Sequence, residues 1–272
     1  MENKREIGVS LLNRFPIWDS HIHLDQYPKE KIPYYLEKWH NDGIKGLIAV
    51  ATDLKSSYEL LEWKQKYPEF VYPALGHHPE QELPDEQDLV ELISLIQKES
   101  KNIVAIGEVG VLHYRQSELG VQDFNGYIEL LTIFAKTAKR LNLPMILHAV
   151  HDKTAMVLPI LVEQKIKKVH FHWFKSSKET TNQMIEGGYT VSFTPEITFR
   201  ERDQRTALDF PLEQILLETD GPWPLEGIYE NRIPEPFWIR ESILVLARLK
   251  NQTEDEIVKV MNQNIIKLYF GK

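Results

Sequence analysis

The sequence predicts one α/β domain over residues 1–272, a single (β/α)8 barrel with its functional site at the C-terminal rim of the strands. Three observations carry that expectation. Short apolar, β-rich runs alternate with longer amphipathic stretches from residue 17 to the end, in eight strand–helix units. The 272-residue length suits such barrels, typically about 250 residues. The competing architecture, a doubly wound open sheet, usually carries a Gly-rich phosphate loop after its first strand. Here the first strand runs into His-Ile-His instead.

Taken in order, the strands are expected at Ile17–His21, Gly46–Ala51, Phe70–Leu75, Ile103–Gly107, Met145–His148, Lys168–His172, Tyr189–Phe193 and Ile215–Glu218. The helix at 83–100 opens with acidic residues, which are favourable at a helix N-terminus. The clearest helix is 121–142, where Phe124, Ile128, Leu131, Phe134, Ala135, Ala138 and Leu141 follow helical spacing. Asn142 closes it, with Pro144 just beyond. Residues 235–249 and 253–268 form a final pair, the second entered through Thr253 as its cap. Residues 1–16 are an N-terminal extension. No internal repeat, low-complexity linker or composition break divides the chain.

Hydrophobic residues make up 42% and charged residues 26%, an ordinary balance for a globular protein. The absence of cysteine excludes disulfides, zinc–thiolate sites and cysteine nucleophiles, so any metal must be held by His, Asp and Glu. It is also compatible with a reducing cytoplasm, the expected location. MENKREIGVSLLNRF has scattered charges and no apolar core of signal-peptide length. No stretch approaches the ~18 consecutive apolar residues of a membrane span. A net charge of −8 does not attract nucleic acid to the protein as a whole. A cleft holding divalent cations can still be locally positive.

The strand ends carry the chemistry. In WDSHIHLD (18–25), His21 and His23 stand two apart and share a strand face. NIVAIGEVG delivers Glu108, PMILHAV delivers His148, KVHFHWF delivers His170 and His172, and QILLETDGPW delivers Glu218 and Asp220. A lone His at a strand end is more often structural than a ligand. Here five of eight strands end in a His or an acid after an apolar stem. Several buried carboxylates persist together in an apolar barrel only with cations. Four His and two carboxylates exceed one tetrahedral site and suit two neighbouring divalent ions sharing a bridging carboxylate or water. His170 lies one layer deeper and is read as structural, and Glu218 as orienting a ligand. His40 and His151 are read as surface residues.

Together these motifs resemble the TatD family of metal-dependent hydrolases, barrel proteins of the wider amidohydrolase type. The resemblance runs from residue 17 to about residue 270, through DSHIHLD, ALGHHP (74–79), IGEVG (106–110), PMILHAV (144–150), HWF (172–174), SFTP (192–195), LLETDGPW (216–223) and NIIKLYF (264–270). It implies His21, His23, Glu108, His148, His172 and Asp220 as metal ligands, with Glu108 between two ions. It also implies a deoxyribonuclease of the 3′–5′ exonuclease type, acting on single-stranded or frayed DNA ends. Two departures touch the substrate side. GEVGVLH places Leu112 where family members commonly carry an acid, as in GE-x-GLD, and Trp173 replaces the usual small residue after the strand-6 His.

The expected chemistry is metal-assisted hydrolysis, with the pKa of a shared water lowered towards neutrality. Asp220 is expected to act as general base and Glu108 to fix the separation of the ions. Carboxylate and imidazole ligands suit Mg²⁺, Mn²⁺ or Zn²⁺. Candidate substrate contacts are His78 (with His77 and His78 equally readable as turn residues) and Tyr114, Trp173 and Trp223 for base stacking, or as rim packing. Arg200, Arg202 and Arg205 follow strand 7, where barrels often bind phosphate, or they form a solvated helix face. Two alternatives stay open: hydrolysis of a small phosphoester, ester or amide, and a metal-binding assembly subunit with weak catalysis.

Overall fold

A computed structural model describes residues 16–271. Of the N-terminal extension only Pro16 falls within them; residues 1–15 lie outside the described residues. The eight strands are β1 (Ile17–Ile22), β2 (Ile44–Val50), β3 (Val71–Leu75), β4 (Ala105–Gly110), β5 (Met145–His148), β6 (Val169–Phe171), β7 (Thr190–Phe193) and β8 (Ile215–Leu217). Every neighbouring pair is parallel and the spatial order is the sequence order. That order leaves β1 and β8 to meet, as a barrel requires. Each strand lies within a few residues of its expected position. β4 starts two residues late, although Val104 N–H already donates to the Pro73 carbonyl, and it runs on through Glu108 to Gly110.

The closing joint between β8 and β1 is not an ordinary ladder. Asp220 N–H donates to the His21 carbonyl (3.0 Å) and His23 N–H to the Gly221 carbonyl (2.7 Å). Below them the buried Asp19 carboxylate accepts from Thr219 N–H (3.0 Å) and from the Thr219 hydroxyl (2.5 Å). Burial pushes Asp19 up to about 8 against the pull of these donors.

The described residues contain helices α1 (Ile32–Asn41), α2 (Leu54–Lys66), α3 (Glu86–Lys98), α4 (Asn125–Leu141), α5 (Lys153–Glu163), α6 (Lys178–Gly187), α7 (Glu201–Asp209), α8 (Ile239–Lys250) and α9 (Glu254–Tyr269). Several begin at side-chain caps. Asp53 and Thr253 form reciprocal capping boxes with Ser56 and Glu256, and Asp85 caps α3. Asn142 ends α4 in the left-handed region, the stop read from its sequence. The final pair starts later than expected at its first member, because Pro236–Trp238 form a separate 3₁₀ turn. No helix among the described residues is long and apolar enough to cross a membrane.

Between strands and helices lies the main core. Inside the barrel Ile48, Val50, Ala74, Ala105, Ile146 and Leu216 form a second cluster with Ile265, Leu268 and Tyr269 of α9. Trp18, Tyr72 and Phe270 close the same end, their ring centroids 5.1–5.6 Å apart. The N-terminal end of the barrel is therefore filled with apolar side chains. The opposite rim is left for polar ones.

Candidate metal centre

The site is built around one carboxylate. Glu108 in β4 is fully buried, and its two oxygens face different sets of imidazoles. Oε2 lies 3.0 Å from His21 Nε2 and 3.4 Å from His23 Nε2. Oε1 lies 2.7 Å from His172 Nε2, 3.0 Å from His148 Nδ1 and 3.3 Å from His78 Nε2. Asp220 joins the first set, its Oδ1 3.4 Å from both His21 and His23 Nε2. Among the described residues, three overlapping groups have ligand atoms close enough to hold a cation: His21 with His23 and Glu108, His21 with His172 and Asp220, and His78 with Glu108 and His148. Local sequence explains the convergence. A Cβ on Gly110 would sit 1.9 Å from the His148 carbonyl, so this glycine lets β4 lie against β5 where both deliver their side chains.

The donor set fits a divalent metal. His21 and His23 point Nε2 at Nε2 across 3.4 Å, and His148 Nδ1 faces His172 Nε2 across 3.1 Å. Two ring nitrogens facing each other can share only one proton. Glu108 Oε2 and Asp220 Oδ1 are buried with no partner in hydrogen-bonding geometry, a costly state for a carboxylate oxygen. Burial works to raise both acids, yet the imidazoles hold Glu108 well below the usual carboxylate range and Asp220 below it. Conversely, burial works to lower His23, but Asp220 and Glu108 push it up to about 10. His172 and His148 are also raised, by Glu108 against burial. Burial lowers His21, and it brings His78 down to about 4. The cluster thus draws positive charge to its centre, and nitrogen and oxygen donors of this kind suit Mg²⁺, Mn²⁺ or Zn²⁺.

A layer of acids orients the imidazoles. Glu80 Oε1 lies 3.0 Å from His148 Nε2, and its carboxylate accepts the N–H groups of His113 (2.7 Å), Tyr114 (2.9 Å) and Arg115 (2.8 Å). Burial would raise Glu80, but His148 and these N–H groups bring it down to about 2. Sequence reasoning missed Glu80. Its only signal was a carboxylate two residues after His78, in GHHPE. Leu112, the departure in GEVGVLH, is fully buried. Glu218 accepts from Trp173 N–H (2.7 Å) and Ser192 Oγ (2.6 Å) and stands 3.7 Å from His172 Nδ1. His170 is bonded to Tyr269 Oη and Ser192 Oγ, both at 2.7 Å, within the barrel. His77 bonds the Glu82 carbonyl as a turn residue, whereas His78 faces the cluster. His40 and His151 are exposed.

Above the cluster a cavity of about 210 Å³ is lined by His23, His78, His148, His172, Asp220 and Glu80, and by Tyr114, Arg115, Val150, Trp173, Lys175 and Trp223. The three aromatic residues read as substrate contacts are all present. The three arginines do not line it. Arg200 pairs with Glu196 (2.5 Å) and Glu226 (2.8 Å), Arg202 with Asp203 (2.8 Å) and Arg205 with Glu201 (2.9 Å). Carboxylates on or beside α7 hold these guanidiniums outside the cavity wall. Lys175, in the loop after β6, lines the cavity instead.

Comparison with known proteins accords with this architecture. The family model described as TatD related DNase matches residues 18–270. An uncharacterized metal-dependent hydrolase of Haemophilus influenzae is 36% identical over 253 residues, 93% of this chain and 99% of its own. Human deoxyribonuclease TATDN3 is 30% identical over 97% of this chain and 96% of its own. The crystal structure of YjjV, a TatD homologue from Escherichia coli K12, superposes with a TM-score of 0.83 at 25% identity, covering 95% of this chain and 99% of that one.

Proposed function

Because the chain belongs to the TatD-related DNase family of metal-dependent hydrolases, we propose that it is a two-metal phosphodiesterase acting on DNA ends, of the 3′–5′ exonuclease type. The observation that carries this reading is the divided Glu108 carboxylate, one oxygen towards each imidazole set. His21, His23 and Asp220 would hold one cation with Oε2; His148, His172 and His78 would hold the other with Oε1. Bound there, divalent ions lower the pKa of water towards neutrality and offset charge building on phosphoryl oxygens. Glu108 fixes the separation of the two ligand sets. Asp220, at the mouth of β8 and lining the cavity, takes the attacking water's proton as general base. The ligands admit Mg²⁺, Mn²⁺ or Zn²⁺, and the proposed place of work is the cytoplasm, where DNA ends and divalent ions meet.

Glu80 holds the His148 ring in register. Second-layer carboxylates of this kind are worth about 10–100-fold in metal affinity. Glu80→Gln is therefore expected to weaken metal retention by about that factor, read by titration with a metal indicator. Unchanged affinity would remove Glu80 from this role.

The cavity has room for one nucleotide-sized group and not for a stretch of duplex. Few phosphates are then neutralised, and the salt dependence follows their number. With metal held saturating, the initial rate should fall only shallowly with salt and should be higher on single-stranded than on blunt duplex DNA. A steep slope with equal duplex activity would point to an extended basic track and overturn this mode of binding. Turnover of a small phosphoester with no activity on any nucleic acid would replace DNA as the substrate.

A further inference from the structure

The cations around the rim differ in what neutralises them. Arg115, though it lines the cavity, is held by Glu118 (2.5 and 3.0 Å). Arg200, Arg202 and Arg205 are paired as described. Of these rim cations Lys175 alone forms no ion pair with a carboxylate among the described residues. Its ammonium rests 3.9 Å from the centroid of the Trp173 ring and 3.4 Å from Tyr114 Oη. An ammonium without a counter-charge on a half-buried wall is costly, and such groups are commonly functional. Burial, and then the charge of Arg202, bring Lys175 down to about 8, with Asp203, Glu196 and Asp220 pulling the other way. At neutral pH it is still a cation.

The backbone holds this arrangement in place. Trp173 sits at φ 39, in the left-handed region that bulky side chains rarely adopt. Glu218 and Ser192 Oγ secure it through its N–H. The Lys175 carbonyl accepts from His151 N–H (2.5 Å), and Ser176 Oγ donates to the His151 carbonyl (3.0 Å). The loops after β5 and β6 therefore brace each other under Lys175. One face of Trp173 is already covered by the ammonium. Trp223 and Tyr114, 49% and 56% exposed, are left to meet an aromatic base.

We propose that Lys175, backed by Trp173, is a subsite for a second, non-scissile phosphate of a nucleotide, placed so that the adjoining base meets Trp223 or Tyr114. This deepens the phosphodiesterase reading and rests on it. An ammonium takes phosphate as a point charge, without the forked geometry of a guanidinium. Aromatic rings accept any base by its face. The substrate class that satisfies both is a nucleotide chain end with a phosphate next to the cleaved linkage, in preference to an isolated phosphodiester.

Two measurements on the metal-loaded enzyme test it. The first compares thymidine dinucleotides with and without a terminal phosphate, using bis(4-nitrophenyl) phosphate as a one-phosphate reference. Wild type should favour the phosphorylated dinucleotide, mainly in KM. Lys175→Met should lose about tenfold or more of that preference, as removal of a hydrogen bond to a charged group does. Lys175→Arg should recover most of it. The same preference in wild type and Lys175→Met overturns the proposal. The second is calorimetric binding of thymidine 3′,5′-bisphosphate against thymidine 5′-monophosphate. The gain from the second phosphate should be present in wild type and about tenfold smaller in Lys175→Met. This arm decides on Lys175 even if no dinucleotide is cleaved, an outcome that would count against the DNA reading and not against the subsite. Equal gains in both proteins overturn the subsite whatever the substrate.

Discussion

Asp220→Asn is expected to lower hydrolysis by about 10²–10⁴-fold, the usual worth of a general base. The substitution isolates chemistry from folding for a structural reason. Asp220 sits at φ 55, and asparagine tolerates the left-handed region as well as aspartate does. Alanine would add backbone strain there. Asn keeps the N–H that donates to the His21 carbonyl and one oxygen towards His21 and His23. Thermal stability of the metal-free protein should therefore change little. Turnover within a few-fold of wild type on the best substrate would show that Asp220 is not the base.

Glu108→Gln should have the larger effect. The shared carboxylate faces five imidazoles and, among the described residues, is the one group common to both proposed ligand sets. Metal catalysis contributes several kcal/mol, and about 1.4 kcal/mol is a decade in rate, so activity should fall by about 10³-fold or more. Metal content after exchange into Mn²⁺ or Zn²⁺ should fall with it. In wild type, retention should tighten as pH rises. Burial opposes protonation of His23, but Asp220 and Glu108 bring it up to about 10, so it holds a proton at neutral pH that must leave when a cation enters. In Glu108→Gln one of the two raising carboxylates is gone while Asp220 remains, so that pH dependence should weaken. Stoichiometric metal in the variant would contradict the bridging role.

The convergence of His21, His23, Glu108, His148, His172 and Asp220 was readable because each ends or closely follows an apolar stem at the same rim. His21 and His23 meet at 3.4 Å as their i, i+2 spacing requires. Helix ends were readable where a cap is a local event, as at Asn142 and Thr253. Contacts between distant loops were not. Glu80 reaches His148 across 68 residues of sequence, and no local pattern marks it. The ion pairs of the arginines after β7 were illegible for a related reason. A sequence displays charges but not the carboxylates that neutralise them, so Arg200 looked available and Lys175 looked ordinary.

The joint between β8 and β1 also has a consequence for how the protein comes into being. His21 and His23 are made among the first residues of the barrel and Asp220 in the last strand, and they meet only when that joint closes. Pairing partners so far apart in sequence closes late, because the whole intervening chain must first be ordered. A nascent or prematurely ended chain lacking β8 carries most of the imidazoles and yet lacks the proposed base. Any hydrolysis that depends on the proposed base would therefore wait until synthesis is nearly finished. Once the joint is closed, a cation held by His21, His23 and Asp220 would add stability by mass action to the union of first and last strands.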